Sequence, residues 1–129
     1  MLLAAADRSD PDHTACRELL EAHPGPLVTT ELVIAETGWL LDRQLGAGAE
    51  AALYESVAAG EIRIEPLSAA DWARIAALTI QYADQHLGGV DSSLVAVAER
   101  LGATNIGTLD RRHFSVIRPQ HIANFELLP

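Results

Sequence analysis

Eighteen acidic side chains stand against nine basic ones in this 129-residue sequence, and three of the acids fall where an ordinary solvated carboxylate is not expected. Glu36 follows Leu32 by four residues and Val33 by three, and precedes Trp39 by three and Leu40 by four. On a helix that spacing sets it inside the apolar stripe. A carboxylate there carries a desolvation cost of about several kcal/mol unless a cation or a metal compensates it; the alternative is a stripe-edge Glu that reaches water or an arginine. Asp91 follows Gly88-Gly89-Val90 and opens a helix, three residues before Leu94. It reads as an N-cap, worth about 1 kcal/mol, and the helix dipole there favours its charged form, so it stays an anionic ligand at neutral pH. Asp110 comes directly after a strand, Ile106 to Leu109. Ligands of open α/β sheets sit at such strand ends, and an Asx-type turn is the plainer alternative.

Three acids from separate segments that converge at one edge of a sheet cannot remain unpaired. Hard oxygen ligands suit Mg²⁺ or Mn²⁺, ions that keep waters and bind phosphates. The chemistry this implies is metal-assisted phosphodiester hydrolysis, in which the ion activates and orients a water and stabilises charge on the leaving oxygen. Arg111, Arg112, His113 and Arg118 follow the last acid, and arginine binds phosphate bidentately; a solvated surface cluster is the alternative. Asp84, taken to continue the Ala73, Ala77, Ile80 side of its helix, is an accessory candidate. Other chemistries lose their signatures. The five histidines have no zinc spacing, and no G-x-S-x-G or P-loop occurs. Gly46-Ala47-Gly48-Ala49-Glu50-Ala51 matches G-x-G-x-x-A only superficially, because it joins two helices rather than following a strand.

The elements that must position these residues alternate. Asp10-Pro11 opens a helix to about His23, with Cys16 in its apolar face. After Pro24-Gly25-Pro26 comes a brief strand, Leu27-Val28, and Thr29 or Thr30 caps a helix to about Leu45, ended by Gly46. A second, alanine-rich helix runs from Ala47 to Ala59 and stops at Gly60; Ile62 to Glu65 alternates as a strand. Ser68 and Asp71 make an S-x-x-D capping box for a helix through Trp72, Ile75, Thr79 and Tyr82. Leu87-Gly88-Gly89 separates it from a helix over Asp91 to Leu101, followed by a strand at Asn105 to Leu109 and a last one at Phe125 to Leu128. Helices alternating with strands predict a three-layer α/β domain around a mainly parallel sheet, with residues 1–129 a single domain. Met1-Leu2-Leu3-Ala4-Ala5-Ala6 is too short and alanine-rich to be the hydrophobic strand that usually opens such a domain, so the first strand is expected to be missing.

Composition bounds the setting. With 49% hydrophobic and 21% charged residues the chain is globular rather than disordered. A lone cysteine cannot form an internal disulfide, and with no membrane-length apolar run the expectation is a cytoplasmic protein. The net charge of −9 argues against nonspecific nucleic-acid binding, but the sign is uneven: residues 100–129 hold four arginines and two acids. All nine cations are arginine.

Three stretches, Thr30-Glu31-Leu32-Val33-Ile34-Ala35-Glu36, then Gly89-Val90-Asp91-Ser92-Ser93-Leu94-Val95-Ala96-Val97-Ala98-Glu99-Arg100-Leu101-Gly102, then Thr108-Leu109-Asp110-Arg111-Arg112-His113-Phe114, resemble in content, order and spacing a PIN-domain ribonuclease of the VapC toxin type. The resemblance covers nearly the whole chain, and the last two stretches are its specific part. It implies a Mg²⁺- or Mn²⁺-dependent endoribonuclease of a type II toxin–antitoxin pair, acting on RNA, inhibited by a VapB-like antitoxin and often a homodimer. For a dimer, small-residue helix surfaces such as Ala51, Ala52 and Ala59 are candidates. Glu36, Asp91 and Asp110 correspond to the family's catalytic, metal-holding acids, and Thr108 to the hydroxyl residue before the last acid; Arg111 and Arg112 are the RNA-binding candidates. One departure stands out. Family members begin with a strand ending in Asp followed by Thr or Ser, and neither Asp7, Asp10 nor Asp12 replaces that residue. The alternatives are therefore a catalytically degenerate PIN scaffold that binds antitoxin or RNA without cleavage, and a metal-dependent phosphatase on another α/β fold.

Overall fold

The computed structural model describes residues 1–129, which pack as two compact units, Met1–Glu65 and Pro66–Leu128. In the first, α1 (Leu2–Ala6) and α2 (His13–Ala22) precede β1 (Leu27–Thr29), α3 (Glu31–Leu45), α4 (Ala47–Ala58) and β2 (Ile62–Ile64). The residues expected not to form a strand are thus helical. Helix α2 starts later than the Asp10-Pro11 pair predicts, because the Asp10 carboxylate accepts the Asp12 amide 2.8 Å away and closes a turn ahead of the helix. Of the two candidate caps for α3, Thr30 serves: its hydroxyl accepts from the Val33 amide, while Thr29 belongs to β1.

Gly46 links α3 to α4 at φ +89°, a backbone value that side chains resist. Gly38 lets the two helices close: a Cβ there would meet the Tyr54 hydroxyl at 2.5 Å. The hairpin carries the chain across to lay β2 parallel to β1, Leu27 opposite Ile62, over a core of Ile34, Leu41, Leu53 and Ile62. Cys16 is fully buried in α2, as its place on the apolar face predicts.

The second unit begins with the expected capping box. Ser68 Oγ accepts from the Asp71 amide and the Asp71 carboxylate accepts from the Ser68 amide, starting α5 (Ala69–Gln81). A 3₁₀ turn at Ala83–Gln85 interrupts the chain before α6 (Gly89–Leu101). Asp84 lies in that turn, exposed, and not on a continued face of α5, so its expected placement by helical spacing is corrected. Strand β3 (Asn105–Gly107), helix α7 (Arg111–Val116) and β4 (Glu126–Leu128) complete the unit. The core is Leu78, Leu87, Val95, Ala98, Ile106, Phe114, Ile117 and Phe125. Helix α6 runs through it buried on most sides, with Ser92, Ser93, Val95, Ala96, Val97 and Ala98 all covered; its small residues let neighbours approach closely.

All strand pairing is parallel, as expected of an α/β chain. The mainly parallel sheet of the expected α/β domain takes the form of two two-stranded pairs, β1–β2 and β3–β4. No helix is long and apolar enough to cross a membrane.

Candidate functional site

The N-terminal turn of α6 and the β3–α7 connection bring three side chains of the second unit together: Asp91, Asp110 and His113 place one ligand atom each within 4.8 Å of one another. Local folding explains each position. The N-cap of α6 is Gly88, not Asp91, which is the third residue of the helix. The expected cap is corrected because the helix begins two residues earlier, at Gly89, and the aspartate, freed from the capping bond, turns its carboxylate to His113. Strand β3 ends at Gly107, two residues before the predicted end at Leu109, since Thr108 breaks away after its amide donates to Leu128 O at 2.7 Å. The Thr108 hydroxyl then accepts from the Asp110 amide at 3.0 Å. Asp110 is the N-cap of α7, its Oδ1 accepting from the His113 amide at 3.0 Å. Phe114 and Ile117, 2% and 0% exposed, pin this short helix to the core.

His113 joins the two acids. Its Nδ1 lies 2.9 Å from Asp110 Oδ2 and 3.2 Å from Asp91 Oδ2, with the His113 side chain 19% exposed, Asp91 27% and Asp110 42%. Electrostatically the cluster is short of positive charge. Burial raises the Asp91 carboxyl above its ordinary value and the Asp110 charge adds to this, outweighing the hydrogen bond and charge of His113. The expected depression by the helix dipole is therefore reversed, because desolvation of a partly buried carboxylate beside a second one is the larger effect. A carboxylate that is disfavoured as an anion invites a cation.

The remaining predicted residues fall as follows. Glu36 is exposed on α3 of the first unit. Its predicted place on a buried stripe is corrected: the covered face of α3 is Ile34, Thr37, Gly38 and Leu41, and Trp39, taken as part of the stripe, is 55% exposed. The true face lies about one residue round the wheel, because Thr and Gly pack inward where α3 meets α4, and a reading by hydrophobicity passes over them. Arg111 and Arg112 are exposed on the first turn of α7, next to Asp110. The Arg118 guanidinium donates to its own chain, at Ser115 O and Ile117 O. The residue that sequence reasoning missed as a site member is His113, grouped there with the arginines. The signal was present: His113 stands three residues after Asp110, the spacing at which a capping box brings the N-cap and the third helical residue together.

Sequence comparison matches the PIN domain family to residues 1–118. The chain belongs to the PIN-domain family. It is 35% identical over 128 residues to Ribonuclease VapC26 of Mycobacterium tuberculosis, covering 99% of this chain and 95% of that protein. Among solved structures it is similar to VapC20 of Mycobacterium tuberculosis, a sarcin–ricin-loop cleaving toxin, with a TM-score of 0.74 and 23% identity, over 81% of this chain and 80% of that one. The PIN fold expected from the sequence is thereby established, and the alternative of a phosphatase on a different fold is set aside.

Proposed function

We propose that this chain, acting as one PIN-like domain over residues 1–129, is a VapC-like toxin: a Mg²⁺- or Mn²⁺-dependent endoribonuclease of the cytoplasm, homodimeric, and neutralised by a VapB-like antitoxin. The observation that carries the reading is the convergence of Asp91 and Asp110, with Asp91 disfavoured as an unaccompanied anion. Kinship with a protein named as a ribonuclease supports the same direction. The two carboxylates fit a hard divalent cation, which takes oxygen ligands. Such an ion, when bound, supplies a water of lowered pKa and neutralises charge on the leaving oxygen.

The roles of the chain's own residues follow from their placement. Asp91 and Asp110 hold the cation; Glu36, exposed on α3, is assigned a catalytic role by its correspondence with a family acidic position alone. Thr108 keeps the Asp110 backbone in place through its 3.0 Å hydrogen bond. Arg111 and Arg112, exposed beside the acids, hold substrate phosphates on either side of the scissile bond.

Cleavage of an RNA panel in Mg²⁺ and in Mn²⁺ tests the reading. Asp91→Asn, Asp110→Asn and Glu36→Gln are each expected to lower cleavage about a hundredfold or more, the scale on which misplaced catalytic geometry acts. Cleavage by Asp91→Asn equal to that of the parent overturns the assignment.

A further inference from the structure

We propose that His113 is a metal ligand through Nδ1, and that it makes the site discriminate in favour of Mn²⁺ over Mg²⁺. The proposal rests on the reading that Asp91 and Asp110 hold a divalent cation, and it names what sets the identity of that cation.

His113 is the third residue of α7, its amide bonded to the N-cap carboxylate at 3.0 Å, and the next residue, Phe114, is 2% exposed in the core. Backbone and neighbour together hold the ring over Asp110, so Nδ1 is a fixed donor. Its distances to the carboxylate oxygens are 2.9 and 3.2 Å. Adjacent ligands of a six-coordinate ion with bonds of about 2.1 Å stand about 3.0 Å apart. The nitrogen thus stands from each of its two oxygen neighbours at the spacing of adjacent ligands of one ion, on a scaffold that needs no rearrangement of α7 to supply it.

Chemistry then distinguishes the ions. Mg²⁺ favours oxygen ligands and gives up its waters reluctantly; Mn²⁺ shares that taste for carboxylates but belongs to the first-row series whose members also bind nitrogen, at the weak end of that series. Two carboxylates alone would serve either ion; the added nitrogen favours Mn²⁺. Coordination uses the Nδ1 lone pair, with the ring proton on Nε2, so the hydrogen bonds from Nδ1 to the carboxylates give way to bonds from all three groups to the ion.

The experiment is metal binding by the full chain, independent of RNA cleavage. Titration of free Mn²⁺ by electron paramagnetic resonance, with Mg²⁺ as competitor, is expected to show the parent preferring Mn²⁺ by about tenfold or more, the scale on which groups at a metal site set affinity. His113→Ala should lose most of that preference through weaker Mn²⁺ binding, with Mg²⁺ binding little changed. His113→Asn keeps a hydrogen-bond donor near the carboxylates but no imidazole, and should behave like the alanine variant. Retention of the preference by His113→Asn overturns the proposal, since His113 would then be a hydrogen-bonding clamp. Spin-echo modulation of Mn²⁺ bound to the unaltered chain, with ¹⁵N-histidine as the label, requires no variant to fold: coupling to a histidine nitrogen is expected, and its absence overturns the proposal. Asp91→Asn separates the two readings. Loss of both ions in this variant, together with no discrimination by His113, defeats only the present proposal, whereas parent-like binding of both ions by Asp91→Asn defeats the site reading beneath it. A parent chain that binds neither ion defeats both.

Discussion

Helix α6 carries one acid near each end, and the two live under opposite conditions. Near the C-terminal end, the Glu99 carboxylate accepts from Nε and Nη2 of Arg74, at 2.7 and 2.8 Å, and from the Gln120 amide at 2.9 Å. Burial alone would raise its pKa, but these partners prevail and hold it below its ordinary value. Asp71 of α5 is treated likewise by its Ser68 cap and by Arg100. Near the N-terminal end, Asp91 shares one imidazole with Asp110 and is raised. The lesson is one of local charge balance. A carboxylate with its own guanidinium is part of the structure, and two carboxylates sharing one imidazole leave room for a cation from outside.

The contrast is broken most severely through stability. Arg74→Ala leaves Glu99, whose side chain is 9% exposed, without its guanidinium, and should lower stability by about 1–3 kcal/mol. Asp91→Asn removes a charge the fold disfavours, so in the absence of divalent metal its urea midpoint should be unchanged or higher. Equal destabilisation by the two would erase the distinction between the ends of α6.

A smaller effect sharpens it through pH. Glu99 and Asp71 have folded values below their ordinary 4.5 and 3.8, so their stabilisation is complete above those ordinary values and is lost as pH falls through the lowered ones. Asp91 has the opposite sign: raised above 3.8, its ionised form disfavours the fold, and protonation relieves this as pH falls toward 3.8. Urea midpoints of parent and Asp91→Asn, in chelator, should therefore converge as pH is lowered from neutral toward 3.8. A gap that widens instead would reverse the sign given to Asp91.

The smallest effect concerns the exposed arginines. Arg112→Ala should leave the urea midpoint unchanged and reduce the salt dependence of RNA binding by the worth of one phosphate contact, a slope change of about 0.7 for a single strand. An unchanged slope removes Arg112 from the RNA-facing surface.

Local signals were legible in proportion to how local they are. Thr30 as a cap and the Ser68–Asp71 box depend on side chains meeting backbone within three or four residues, and the glycine ends of α3 and α6 on the positive φ that Gly46 and Gly102 adopt; the structure keeps them all. The buried face of α3 was not legible, because Thr37 and Gly38 are inward for steric reasons that hydrophobicity does not record. The start of α6 was missed by two residues because an aspartate near a helix start resembles a cap whether it is the cap or the third residue.

The sequence by itself determined the alternation of helices with strands, the parallel α/β character and the family, and singled out Asp91 and Asp110, since patterning and motif spacing are properties of the chain; the short helices α1 and α7 were not foreseen. Only the tertiary structure decided that His113 joins the two acids and that Asp91 is raised rather than lowered. Both depend on distances between residues 22 positions apart and on how much water the packing removes, and neither is written in any local run of residues.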